Sequence, residues 1–225
     1  MTKRFEEELA ELKKCTLKMG NLVEIAISKS IKALLDRDVK LAEEVIGADD
    51  DINHIEIVID EKCLDLLALR QPVAIDLRFI AAIMKMNGEL ERIGDLAVNI
   101  AERAKYLATQ PELKISLDFT RMMEFTQKMV RESLDALVNK DAKLARKVCL
   151  EDDVVDDLNR QMFLELIEHM KEDPETIERS THLMLVSRHL ERIADQATNI
   201  AEDVVYMVEG KIIKHHAEDY CTIPR

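Results

Sequence analysis

Two copies of one charged segment carry the residue types best suited to chemistry. Glu-Arg-Ile-Gly-Asp-Leu-Ala-Val-Asn-Ile-Ala-Glu begins at Glu91, and Glu-Arg-Ile-Ala-Asp-Gln-Ala-Thr-Asn-Ile-Ala-Glu begins at Glu191, with nine of twelve positions identical at an offset of 100. On a helical wheel Glu91, Asp95, Asn99 and Glu102 fall within about 80° of one another, nearly opposite the apolar stripe of Ile93, Ala97, Ile100 and Ala104. Glu191, Asp195, Asn199 and Glu202 repeat the pattern. The set is therefore expected to face away from the core. Carboxylates at i and i+4 repel by about 0.2–0.5 kcal/mol unless something cationic lies between them. Spacing leaves two readings open: Arg92, Arg188 and Arg192 offset the repulsion on a solvated face, or a bound cation does.

A second acidic stripe precedes each copy. Asp49, Asn53, Glu56 and Asp60 lie within about 60° on one side of a helix, and Asp152, Asp156 and Asn159 do the same later in the chain. Were these helices neighbours, each half would present a seam of carboxylate and amide oxygens. Such donors suit hard cations, Mg²⁺, Ca²⁺, Mn²⁺ or oxidised iron, better than soft ones. Other chemistry finds little support. No histidine sits in a Glu-x-x-His pair of the kind bundle di-iron enzymes use, and there is no Gly-rich phosphate loop, G-x-S-x-G or H-E-x-x-H. The expectation is a protein that is not an enzyme.

The elements that position these stripes are helices. Only 4% of the 225 residues are aromatic, there are five Gly and four Pro, and 34% are charged, a composition poor in the turn formers and aromatics of β folds. Breaks at Gln71-Pro72, Thr109-Gln110-Pro111 and Asp173-Pro174, with N-caps at Asp38 and Asp141, predict six helices over 5–36, 39–70, 74–108, 116–139, 142–172 and 175–209. Asp38-Val-Lys-Leu-Ala parallels Asp141-Ala-Lys-Leu-Ala at an offset of 103, so the repeat extends upstream. The fold expected is all-α, a tandem repeat of two three-helix bundles: residues 1–109, residues 112–210, and a polar tail over 211–225.

A net charge of −13 argues against nucleic acid. A charged N-terminus and the lack of any long uncharged run predict a cytoplasmic chain without membrane insertion. The four dispersed cysteines suggest neither a zinc motif nor a disulfide framework.

The run Arg70-Gln-Pro-Val-Ala-Ile-Asp-Leu-Arg78, taken with Leu90-Glu-Arg-Ile-Gly-Asp-Leu-Ala-Val-Asn-Ile-Ala-Glu102 and its copy ending at Glu202, resembles the PhoU family of phosphate-transport regulators from about residue 5 to 210. The resemblance implies a pair of three-helix bundles, often dimeric, acting as a cytoplasmic negative regulator between a phosphate ABC transporter, through its ATPase subunit, and a sensor histidine kinase. It also implies multinuclear iron or zinc on E/D-x-x-x-D motifs. Glu91 with Asp95, Glu191 with Asp195 and Asp152 with Asp156 fit that motif, whereas Asp49 with Asn53 departs from it. The alternatives are a metal-buffering protein, or a spectrin-like helical scaffold whose acidic faces are only solvated.

Overall fold

The computed structural model describes residues 3–213; the tail beyond, with His215, His216 and Cys221, lies outside them. Its helices are α1 (Lys3–Asp36), α2 (Val39–Gly47), α3 (Asp49–Arg70), α4 (Ala74–Ala108), α5 (Phe119–Asn139), α6 (Ala142–Glu172) and α7 (Ile177–Glu209), with a 3₁₀ turn at Pro174–Thr176. Among the described residues there is no strand. The all-α expectation holds, with three local corrections. The helix expected over 39–70 is broken at Ala48, the fifth helix starts at Phe119 rather than 116, and the last opens as a 3₁₀ turn that continues into α7.

The break has a local cause. Gly47 weakens the helix, and the Ala48 amide is shared between the carbonyls of Glu44 and Val45. Asp49, Asp50 and Asp51 then fill the first turn of α3, where the positive end of the helix dipole favours carboxylates. The second unit has Leu150 and Glu151 at the matching positions, and α6 runs through unbroken.

The caps are duplicated as expected. Asp38 accepts from the amides of Lys40 and Leu41 at 3.0 and 3.1 Å, and Asp141 from those of Lys143 and Leu144 at 2.9 and 3.0 Å. Each cap follows a residue in the left-handed region, Arg37 (φ 54°) and Lys140 (φ 52°). The Arg37 guanidinium then reaches the carbonyls of Leu107, Ala108 and Gln110, tying the end of α4 and the inter-unit linker back to α1.

Helices α3, α4, α7 and α6 lie side by side in that order, with α1 packed over α3 and α4, α5 packed over α6 and α7, and α1 touching α5. The units therefore meet twice. Between α1 and α5, Gly20 leaves room for Leu134: a Cβ added there would stand 2.2 Å from the leucine Cδ1. Between α4 and α7 the helices run antiparallel. The Arg78 guanidinium reaches the Met207 carbonyl at 3.2 Å, Lys85 pairs with Asp203 at 3.4 Å, and Tyr106 stacks on His182 with ring centroids 4.1 Å apart. One continuous core runs through both units, including Ile27, Ile59, Ile83, Leu90, Ile100, Met122, Leu190 and Ile200. Each such side chain contributes about 1.5–3 kcal/mol by leaving water. No helix among the described residues is long and apolar enough to cross a membrane.

Candidate functional site

Each acidic stripe of the sequence ends beside another. Packing of α3 on α4 brings the α3 carboxylates toward Glu91 and Asp95, and packing of α6 on α7 brings Asp152 and Asp156 toward Glu191 and Asp195. The close approach of α3 to α4 is set by Gly94. A Cβ there would come within 3.0 Å of Ile52 Cδ1 and 3.7 Å of Asp49 Oδ1. The small residue thus serves packing within the bundle rather than an outside partner.

In the first seam, burial and the charges of neighbouring acids raise the carboxyl pKa of Glu91, with Asp95, Glu56 and Asp49 repelling its ionised form and Arg92 only partly compensating. Asp95 is raised by burial and by Asp49, and Glu56 by burial, Asp60 and Asp95. Asn53 donates to Asp49 Oδ2 at 2.9 Å, while Asp49 Oδ1 is buried without a hydrogen-bond partner. The amide that departs from the acidic motif thus acts as a donor to its neighbour, supplying one of the contacts that a cation would otherwise make.

The second seam is more strained. Asp152 is pushed up to about 7 by burial first, then by Asp195, Asp156, Glu191 and Asp153. Asp195 is raised by burial and Asp156, against Arg188 and Arg192. Glu191 departs from the outward-facing expectation. It is only 8% exposed, because α6 covers the side of α7 that the helical wheel leaves open. Arg188 donates to its Oε1, and Oε2 is buried without a partner, as is Asp152 Oδ1.

The arginines named as alternatives to a cation are therefore present, but desolvation and mutual repulsion outweigh them in both seams. Unpartnered buried oxygens, all-oxygen donors and net negative charge fit a hard cation in chemistry. As placed, no group of three or more His, Cys, Asp or Glu among the described residues could hold a metal ion, so only the donor types and the charge speak for a cation.

The remaining sequence candidates lie further along. The Asn99 amide donates to the Asp95 carbonyl of its own helix at 2.9 Å, Glu102 is exposed, and Asn199 is half-buried. Glu202 faces α6, where its charge acts on Cys149. Glu56, already part of the α3 acidic stripe in the sequence, is brought to Asp95 and Glu91 by α3–α4 packing. Cys149 stands three residues before Asp152 on α6.

The PhoU domain family matches residues 16–104 and again 119–204. A phosphate-specific transport system accessory protein PhoU homolog of Aquifex aeolicus is 46% identical over 209 residues, covering 93% of this chain and 95% of that one. The corresponding homolog of Pseudomonas aeruginosa is 41% identical over 216 residues, 96% and 89% of the two chains. The crystal structure of PhoU from Pseudomonas aeruginosa superposes with a TM-score of 0.89 at 42% identity, covering 92% of this chain and all of that one. The phosphate transport system regulatory protein PhoU from Streptococcus pneumoniae gives 0.87 at 32% identity, with 93% and 99% covered.

Proposed function

The chain belongs to the PhoU family, and from that premise we propose that it is a negative regulator of phosphate uptake and of the phosphate-starvation response. In this reading it is a non-enzymatic, cytoplasmic homodimeric adaptor between the ATPase of a phosphate ABC transporter and a sensor histidine kinase. The observation that carries it is likeness along nearly the whole chain, through both repeats, to proteins named as phosphate transport accessories. The long helical surface of the described residues suits a protein that works by contact.

The two seams hold cations in the same reading. Asp49, Asn53, Glu56, Glu91 and Asp95 would hold the first, and Asp152, Asp156, Glu191 and Asp195 the second. Asn99, Glu102, Asn199 and Glu202 border them. A bound ion supplies positive charge to carboxylates that otherwise repel. With it in place, the existing packing of α3 on α4 and of α6 on α7 would be reinforced against that repulsion.

The test is a phosphate-starvation reporter, such as secreted phosphatase activity, in phosphate-replete cells lacking this protein. Derepression reversed by the wild-type chain is the expected result. A reporter indifferent to the deletion would overturn the regulatory reading.

A further inference from the structure

The two repeats differ in how far their outer helix reaches. At the offset of 103 residues Met19 and Met122, Ile27 and Val130, and Ser30 and Ser133 correspond, each pair buried and each serine hydroxyl donating to the carbonyl three residues back. Phe119, where α5 begins, is therefore the counterpart of Thr16. The first turns of α1, residues 3–15, have no helical equivalent, because the matching stretch, 106–118, is the end of α4 and the linker. In the first unit those turns lie along the C-terminal half of α3. Glu8 accepts from Nε and Nη2 of Arg70 at 2.8 and 2.6 Å, Leu12 is fully buried, and Glu7, Glu8 and Glu11 face Lys62, Asp65 and Leu66 across a cleft of about 490 Å³. In the second unit the same face of α6 carries Glu165, Glu168, His169 and Glu172, the counterparts of Lys62, Asp65, Leu66 and Leu69. Over it stands Ile115 of the linker, at the position of Leu12, and the cleft that results holds about 450 Å³. Leu164 in its wall is 61% exposed, and the His169 Nε2 is buried without a hydrogen-bond partner. The charge has also changed sign. The α3 face offers Lys62 and Arg70 to an acidic helix, whereas the α6 face offers three glutamates, with Lys171 paired to Glu168 at 2.6 Å.

We propose that this cleft is a docking groove for a basic amphipathic helix of a partner protein, seated on α6 where the first unit seats the start of its own α1. Apolar side chains of the incoming helix cover Leu164 and Ile115, its lysines or arginines meet Glu165, Glu168 and Glu172, and a donor on it satisfies the His169 ring. Residues 164–172 span about 12 Å of helix axis, so roughly two to three turns of partner fill the groove. The α1 of a second copy does not suit this role, since its Glu6, Glu7, Glu8 and Glu11 would meet like charge. The inference rests on the reading of the chain as an adaptor, and adds which surface an outside helix takes and what charge that helix carries.

The probe is a fluorescein-labelled peptide of about fourteen residues, long enough for roughly four helical turns, with leucine on one face and lysine on the other. It is titrated with the full-length protein at about 0.15 M salt, where long-range attraction is screened, and followed by fluorescence anisotropy. A second peptide carries glutamate in place of lysine. The lysine peptide should bind and the glutamate peptide should not. Leu164→Gln should weaken binding at least about fivefold, because it removes an apolar contact without changing net charge. Ile57→Gln, at a side chain 56% exposed on α3, should leave binding unchanged. No binding of the lysine peptide, equal binding of both peptides, or an effect of Leu164→Gln no larger than that of Ile57→Gln would overturn the groove. If circular dichroism shows Leu164→Gln misfolded, hydrogen exchange on the wild-type chain decides. The lysine peptide should then slow exchange over residues 112–118 and 161–172, and protection confined to other segments would sink the proposal. None of these failures touches the starvation reporter, which tests the adaptor reading separately.

Discussion

Replacing Asp152 by Asn should stabilise the metal-free protein above neutral pH, the reverse of what loss of a carboxylate ordinarily does. Asp152 rises from 3.8 to about 7 in the folded state, so near pH 5 the folded chain holds a proton that the unfolded chain has lost. Stability that depends on this group is fully present below its unfolded pKa and is lost as pH climbs through the folded value. A shift of about three units corresponds to roughly 4 kcal/mol at 1.36 kcal/mol per unit. Partial exposure of Asp152, and repulsion that relaxes jointly over Asp156, Glu191 and Asp195, bring the expected gain to about 2–3 kcal/mol. For a chain of this length that is a rise in Tm of roughly 4–12 °C. The assay is thermal unfolding by circular dichroism in chelator at pH 8 and pH 4.5, for wild type and Asp152→Asn. The variant should melt higher at pH 8 and nearly level with wild type at pH 4.5. Saturating Zn²⁺ should raise wild type more than the variant, since an ion bound only to the folded state stabilises in proportion to its affinity. A variant no more stable than wild type at pH 8 would refute the account of the seam as a strained carboxylate cluster.

Asp95→Asn with Asp195→Asn should lower bound metal, measured by atomic emission after dialysis, and leave helicity intact; undiminished metal would remove these residues from the ligand set. Lys140→Gly should raise stability by about 0.5–1 kcal/mol in urea unfolding, because glycine adopts the left-handed conformation between α5 and α6 without a Cβ penalty. Arg37→Ala should cost about 1–2 kcal/mol by releasing the carbonyls of Leu107, Ala108 and Gln110. The same variant should speed proteolysis between residues 108 and 118, and an unchanged cleavage pattern would show that the linker is held by other contacts.

The sequence by itself determined whatever depends on neighbours within a turn or two of helix. Asp38 and Asp141 cap because a short side chain can reach the amides two and three residues ahead, and the prolines stop helices because the ring removes a donor and clashes with the preceding turn. The duplication is legible as letters, and so is the face each repeated residue occupies. Even the break at Ala48 was within reach, in Gly47 and then, past Ala48, three aspartates. Only the tertiary structure decided which face meets which. The wheel for Glu191 leaves it outward, and α6 covers it; Glu56 joins Asp95 because Gly94 lets α3 settle close; Cys149 faces Glu202 because α6 and α7 pack together in the second unit. Burial and the repulsion of like charges act through space, between atoms that one chain brings together from positions about 40 to 50 residues apart, and no local pattern carries the distance between them.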